Sequence, residues 1–219
     1  MDGSDPQPNV IFLDAVGTLF GIQGSVGQVY GDIAHRHGVT VAAETIDLAF
    51  YASFKAAGSP AFPATDLAKL QSQEFGWWLT IATQTFRQAG VLHQFKDFAA
   101  FFAELYAHFA TAASWFVYPD VIPALEHWQR QKIQLGILSN FDTRLYAVLS
   151  ALDLERFFTS VTLSTEAGAA KPNPQIFRIA LQKHHCSPDR AWHIGDRYDE
   201  DYQAATTVGL RGIWLNRKN

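Results

Sequence analysis

A chain of 219 residues, 48% of them hydrophobic, can bury a sizeable core in one or two domains, and its formal net charge of −4 leaves no electrostatic footprint for nucleic acid or an anionic membrane surface. Its one cysteine, Cys186, excludes an internal disulfide framework and a cysteine-built zinc site, fits a reducing compartment and reads as an inert small side chain. The polar, acidic start Met-Asp-Gly-Ser-Asp-Pro-Gln-Pro lacks the regions of a secretory signal and no run approaches transmembrane length, so a soluble, cytoplasmic protein is expected.

The first element is a strand. Val10-Ile11-Phe12-Leu13 is an apolar run too short for a helix and suited to burial on both faces; it ends on Asp14, with Gly17 and Thr18 in the turn behind it. Taken alone, Asp14 could equally be a helix cap. From Gly21 to Ala113 the apolar residues recur at helical spacing, which predicts four or more helices: around Val29 and Ile33, Ile46 and Phe54, Phe75 and Phe86, and Phe98 and Phe109. Breaks fall at Gly38, at Gly58-Ser59-Pro60 with Pro63, and at Gly90. With no strand signal inside it, this block reads as a helical bundle inserted between two parts of something else. Its aromatic residues fill the bundle. Trp77 and Trp78 face different sides of a helix, so at least one of them packs, although either could line a substrate pocket. His35 and His37 belong to a helix face.

Beyond Tyr118-Pro119-Asp120 the pattern alternates. Helices are predicted over about 121–131, 143–152, 174–182 and 200–208, the third with a proline in its first turn and the last stopped by Gly209. Between them come apolar strands at 133–138, running into Ser139-Asn140, at 160–163, at 191–195, running into Asp196, and at 212–215. Alternation of this kind implies a parallel sheet with right-handed crossovers. Phe141-Asp142-Thr143-Arg144 is a helix start, and His184 and His185 are assigned to the surface, since no partner has metal-site spacing.

Asp14, Ser139 and Asp196 each follow directly on an apolar strand, and in a parallel sheet such strand ends share one edge. Lys171, in the rigid turn Ala169-Ala170-Lys171-Pro172-Asn173-Pro174, can deliver an ammonium there, and Asp201 lies little more than one helical turn beyond Asp196. Carboxylates with spare oxygens suit magnesium, which keeps waters and favours substrate phosphates. The Gly17-Thr18 and Ser139-Asn140 turns offer hydroxyl and N–H donors for anionic oxygens. Each residue has a bland explanation as cap, turn or surface charge. Their joint arrival at one edge does not.

Four segments carry a resemblance. Asp14-Ala15-Val16-Gly17-Thr18-Leu19, Ile137-Leu138-Ser139-Asn140, Lys171-Pro172-Asn173-Pro174 and His193-Ile194-Gly195-Asp196 through Asp201 are similar, in order, to the four motifs of the haloacid dehalogenase-like hydrolases. The resemblance implies an α/β fold: a Rossmann-like core from residues 1–20 and 114–219, with a helical cap over 21–113. It implies Asp14 as nucleophile, Ser139, Asn140, Lys171 and Gly17 at the substrate's phosphoryl oxygens, and Thr18 as support for the first turn. Magnesium would be held by Asp14, the carbonyl of Val16 and Asp196, with Asp201 orienting a metal-bound water. One departure stands out. Phosphatases of this family usually carry a second aspartate where this chain has Val16, and valine cannot transfer a proton, a role worth about 10²–10⁴-fold. Asp142, Asp199 or a cap residue are candidate replacements. The expected activity is magnesium-dependent hydrolysis of a small phosphorylated molecule. The alternatives are a 2-haloacid dehalogenase, whose relatives use a tyrosine at that position and a cap arginine (here only Arg36 and Arg87), and a weakly active or inactive phosphate-ligand binding protein. The aromatic cap leaves monomer and homodimer open.

Overall fold

The computed structural model describes residues 7–62 and 66–217; the first six residues of the polar start and the helix break expected at Pro63 lie outside them. In chain order the elements are β1 (Val10–Leu13), β2 (Phe20–Ile22), α1 (Val26–Arg36), α2 (Ala43–Ala57), α3 (Leu67–Gln88), α4 (Phe98–His108), β3 (Trp115–Val117), α5 (Val121–Arg130) and β4 (Gln134–Ser139). They continue with α6 (Arg144–Ala151), β5 (Ser160–Leu163), α7 (Ser164–Ala167), α8 (Pro174–Lys183), β6 (Ala191–Gly195), a π-helical turn (Tyr198–Gln203), α9 (Ala204–Val208) and β7 (Arg211–Trp214).

Five strands form one parallel sheet in the order β5-β4-β1-β6-β7. The central strand β1 is buried at every residue, and its side chains alternate between two cores. Ile11 and Leu13 face a layer that includes Leu125 of α5 and Val148 of α6, while Val10 and Phe12 face Ile176 and Phe177 of α8 and Ala205 of α9. Helices therefore cover both faces, and both ladders from Leu13, to Ile137 and to Ile194, fix where Asp14 emerges.

Helices α1–α4 form a unit with its own aromatic core around Tyr30, Ile33, Phe86, Phe101 and Leu105. Ser25 caps α1 in a reciprocal capping box with Gln28, and Asp66 and Asp97 cap α3 and α4. Gly38 and Gly58, at φ +81° and +68°, turn the chain out of α1 and α2 where a Cβ would be strained. The segment expected to be free of strands contains one: Phe20-Gly21-Ile22 pairs antiparallel with Trp115-Phe116-Val117, so a two-stranded ribbon joins the helical unit to the sheet. Three-residue strands are too short to display alternation. Gly21 permits the pairing, since a Cβ there would lie 2.6 Å from the Phe116 ring.

The helical unit is fastened to the sheet domain through buried polar contacts. Glu74 of α3 accepts from the Thr143 N–H (3.0 Å), the Thr143 hydroxyl (2.5 Å) and the Thr165 hydroxyl (2.6 Å), and Trp78 donates its indole N–H to Asp142 at 2.6 Å. Burial, ahead of the opposing Thr143 and Thr165 hydrogen bonds, raises the Glu74 carboxyl above its ordinary value. The folded state then holds this proton more tightly than the unfolded chain, so the group's contribution to stability is complete below the ordinary Glu range and declines as pH rises through and beyond it. Replacing Glu74 with alanine should cost about 1–3 kcal/mol by stranding three donors, read by urea denaturation. Glu74→Gln should flatten the wild type's loss of stability on the neutral side of the profile.

Candidate active site

The carboxyl ends of β1, β4 and β6 deliver their polar residues side by side. Asp14 is fixed in the backbone by its N–H donating to the Ile194 carbonyl at 2.9 Å. Its Oδ1 accepts from the Ser139 hydroxyl at 2.9 Å and from Lys171 Nζ at 2.8 Å. Lys171 is 2% exposed and also donates to Asp201, at 2.5 Å, while Asp201, wholly buried, takes His193 Nε2 at 2.9 Å and the Arg197 N–H at 2.9 Å. Asp14, Asp196 and Asp201 each present an oxygen within 4.8 Å of the others. Asp14, Ser139, Lys171, Asp196 and Asp201 thus meet at one edge.

Burial works against the Lys171 ammonium, but Asp14 and Asp201 outweigh it and hold the pKa above the lysine norm. Burial would likewise raise Asp201, yet Lys171 and then His193 bring it below the usual carboxylate range. Among the described residues no ion pair is formed by Asp196. Burial, then the charges of Asp14 and Asp201, push it up to about 6, and its Oδ1 is buried with no hydrogen-bond partner among the described residues. Together the three carboxylates could hold a metal ion, and their all-oxygen donor set fits a hard divalent one.

Two residues expected at substrate oxygens also make contacts within the chain. Gly17 donates its N–H to the Phe20 carbonyl at 2.8 Å; its contribution is space, because at φ +88° a Cβ would lie 2.6 Å from Asp196 Oδ2. Asn140 clamps the main chain of Lys171, accepting from its N–H at 2.7 Å and donating to its carbonyl at 2.9 Å. Thr18 is buried in the first turn, and its carbonyl accepts from Arg217 at 2.7 and 3.1 Å. Val16 is half-buried and packs against the core.

Of the candidate proton donors, Asp142 is sealed by Arg144 and Trp78, and Asp199 is exposed. Glu200 was not singled out in that role; it is half-buried, raised by burial, and 3.3 Å from the Asn140 side-chain nitrogen. The helix expected from residue 200 begins at Tyr198, and its π winding turns the Asp201 carboxylate back to the Arg197 N–H. His193 was visible as the one polar side chain in an apolar strand. His184, assigned to the surface, is half-buried and bridges Ser160 and Gln134, each at 2.6 Å.

The family model for haloacid dehalogenase-like hydrolases matches residues 8–209. The chain is 35% identical over 208 residues to the bovine haloacid dehalogenase-like hydrolase domain-containing protein 3, covering 94% of this chain and 81% of that one. It is 35% identical over 101 residues, 46% of this chain and 43% of the other, to glyceraldehyde 3-phosphate phosphatase of Methanopyrus kandleri. Its fold superposes on a defluorinating L-2-haloacid dehalogenase with a TM-score of 0.76 at 19% identity, over 96% of this chain and 82% of that one. The chain belongs to the haloacid dehalogenase-like hydrolase family. No described helix is long and apolar enough to cross a membrane.

Removing the cation from this cluster leaves buried carboxylates facing one another. Lys171→Met should destabilise the fold by about 3–5 kcal/mol. Asn140→Ala, which strands the Lys171 N–H, should cost about 1–3 kcal/mol. Guanidinium titrations measure both.

Proposed function

We propose that the chain is a magnesium-dependent phosphatase of a small phosphorylated molecule, working through an aspartyl phosphate on Asp14. The observation that supports this most is the surplus of carboxylates: three acidic side chains share the edge with one ammonium, and Asp196 Oδ1 has no hydrogen-bond partner among the described residues. Asp14, Asp196 and the Val16 carbonyl would hold the ion, with Asp201 behind them. Bound there, magnesium supplies positive charge against the phosphoryl oxygens.

The remaining work belongs to the chain. Asp14 Oδ1 is held by Ser139 and Lys171, which aims Oδ2 as the attacking atom. As the Oδ2–phosphorus bond forms, the bond to the substrate oxygen breaks and that oxygen leaves with its electron pair. Lys171 and Ser139 face the charge that collects on the phosphoryl group. Water then attacks phosphorus, the Asp14–phosphorus bond breaks, and the carboxylate returns with release of inorganic phosphate. Val16 gives the leaving oxygen no proton and the attacking water no base, so alcohols that depart as stable anions are favoured.

The dehalogenase alternative asks for an insert arginine free to take a carboxylate. Arg36 instead pairs with Glu104 at 2.6 Å on the exposed surface, and Arg87 is exposed.

Hydrolysis of an aryl phosphate by wild type should require magnesium and vanish in Asp14→Asn, and Val16→Asp should raise turnover by about 10²-fold. Inactivity of both wild type and Val16→Asp overturns the reading. Independently of turnover, magnesium at about 100 times its dissociation constant should stabilise the wild type by about 2.7 kcal/mol. Asp196→Asn should lose that response in thermal melts while its apo form stays folded.

A further inference from the structure

His193 is the one titratable side chain in β6, and it is wholly buried. Its ring meets Phe177 of α8 edge-on, with the centroids 5.4 Å apart. An apolar side chain would fill this place without the cost of desolvating an imidazole. Its Nε2 lies 2.9 Å from Asp201 Oδ1, whereas its Nδ1 is buried with no hydrogen-bond partner among the described residues. A histidine kept for packing alone is expected to satisfy both nitrogens. Here one is left bare, and the polar contact that accounts for the ring is the bond to Asp201.

The partners decide where the proton sits. A carboxylate only accepts, so Nε2 carries the proton. A second proton on Nδ1 would be a buried N–H with no acceptor, so the ring is the uncharged Nε2–H form. Asp201 Oδ1 thus takes one bond from a neutral donor and one from Lys171 Nζ, at 2.5 Å, while the Arg197 N–H holds its other oxygen. Lys171 divides its ammonium between this oxygen and Asp14 Oδ1, at 2.8 Å, which spends two of its three N–H groups. Asp201 and Asp14 therefore compete for one cation. His193 supplies the Asp201 side of that competition without adding a second positive charge.

We propose that His193 is a positioning residue of this site: by bonding Asp201 it balances the two carboxylates that share Lys171, which keeps the ammonium on Asp14 and leaves its third N–H for a phosphoryl oxygen. This rests on the phosphatase reading above for the identity of the anion. With the ring removed, Asp201 Oδ1 has Lys171 as its remaining donor, and the ammonium is drawn toward it and away from Asp14. His193 touches no reacting atom in this scheme; its effect passes through Asp201 and Lys171. A neutral N–H donor at the same place would do the same work, and an apolar side chain of similar bulk would not.

Two measurements test this, one of which needs no variant to fold. In the long-range ¹H–¹⁵N spectrum of wild type with labelled histidine, at neutral pH, the His193 ring should be uncharged with its proton on Nε2. A proton on Nδ1, alone or in addition, overturns the proposal. Calorimetry with magnesium present then compares inorganic phosphate binding by wild type, His193→Leu and His193→Gln, each checked by its thermal melt. His193→Leu should bind phosphate about 10-fold more weakly, and His193→Gln, whose amide is a neutral donor, should stay within about threefold of wild type. Equal binding by wild type and His193→Leu, no binding by wild type, or losses that follow melting temperature rather than the presence of a donor overturn the proposal. The expected pattern of binding with no turnover of an aryl phosphate by wild type upholds the positioning role and counts against the phosphatase reading instead.

Discussion

The structure depends on how many negative charges can be buried beside one lysine. Asp14, Asp196 and Asp201 converge because each sits at the same height of adjoining strands or one turn beyond, and the sheet leaves them nowhere else to go. Lys171 bonds Asp14 and Asp201 and leaves Asp196 alone. The consequences run outward. Asn140 holds the Lys171 main chain from both sides, His193 and the Arg197 N–H hold Asp201, and Gly17 and Gly195 lack the Cβ that would collide with Asp196 and Asp201. Most of the polar residues at this edge serve the placement of one ammonium and the exposure of one carboxylate. Charge left unbalanced in a low-dielectric setting is expensive, and a half-buried Asp196 meets that cost by a raised pKa in a cluster that could also hold a cation.

The second organising feature is the boundary with the helical unit. Two short strands carry the chain out and back, and Arg217 spans both crossings: it bonds the Thr18 carbonyl on one side and Asp120 on the other, and stacks on Tyr118 at 3.9 Å. Across the interface Glu74 and Trp78 reach into the start of α6, immediately after the Ser139-Asn140 turn. The helical unit is therefore tied to the residues that follow the turn whose Ser139 hydroxyl bonds Asp14. Any movement of α3 must break hydrogen bonds to a buried carboxylate.

Much of this was legible in the sequence because it is local. Val10–Leu13 announces a doubly buried strand, the alternation after Asp120 announces a parallel sheet, and strand-end residues then share an edge by topology alone. What was not legible depends on partners far apart in the chain. The Trp78–Asp142 and Glu74–Thr165 bonds join residues separated by 64 and 91 positions, with no spacing rule to connect them. Arg144 reads in the sequence as part of a helix start, and the stacking on Tyr106 and the fork on Asp142 reveal it as half of a buried ion pair. Asn140 and Gly17 stand at the edge and make contacts within the chain that no sequence spacing announces. A residue type tells what a side chain can donate, while geometry decides to whom.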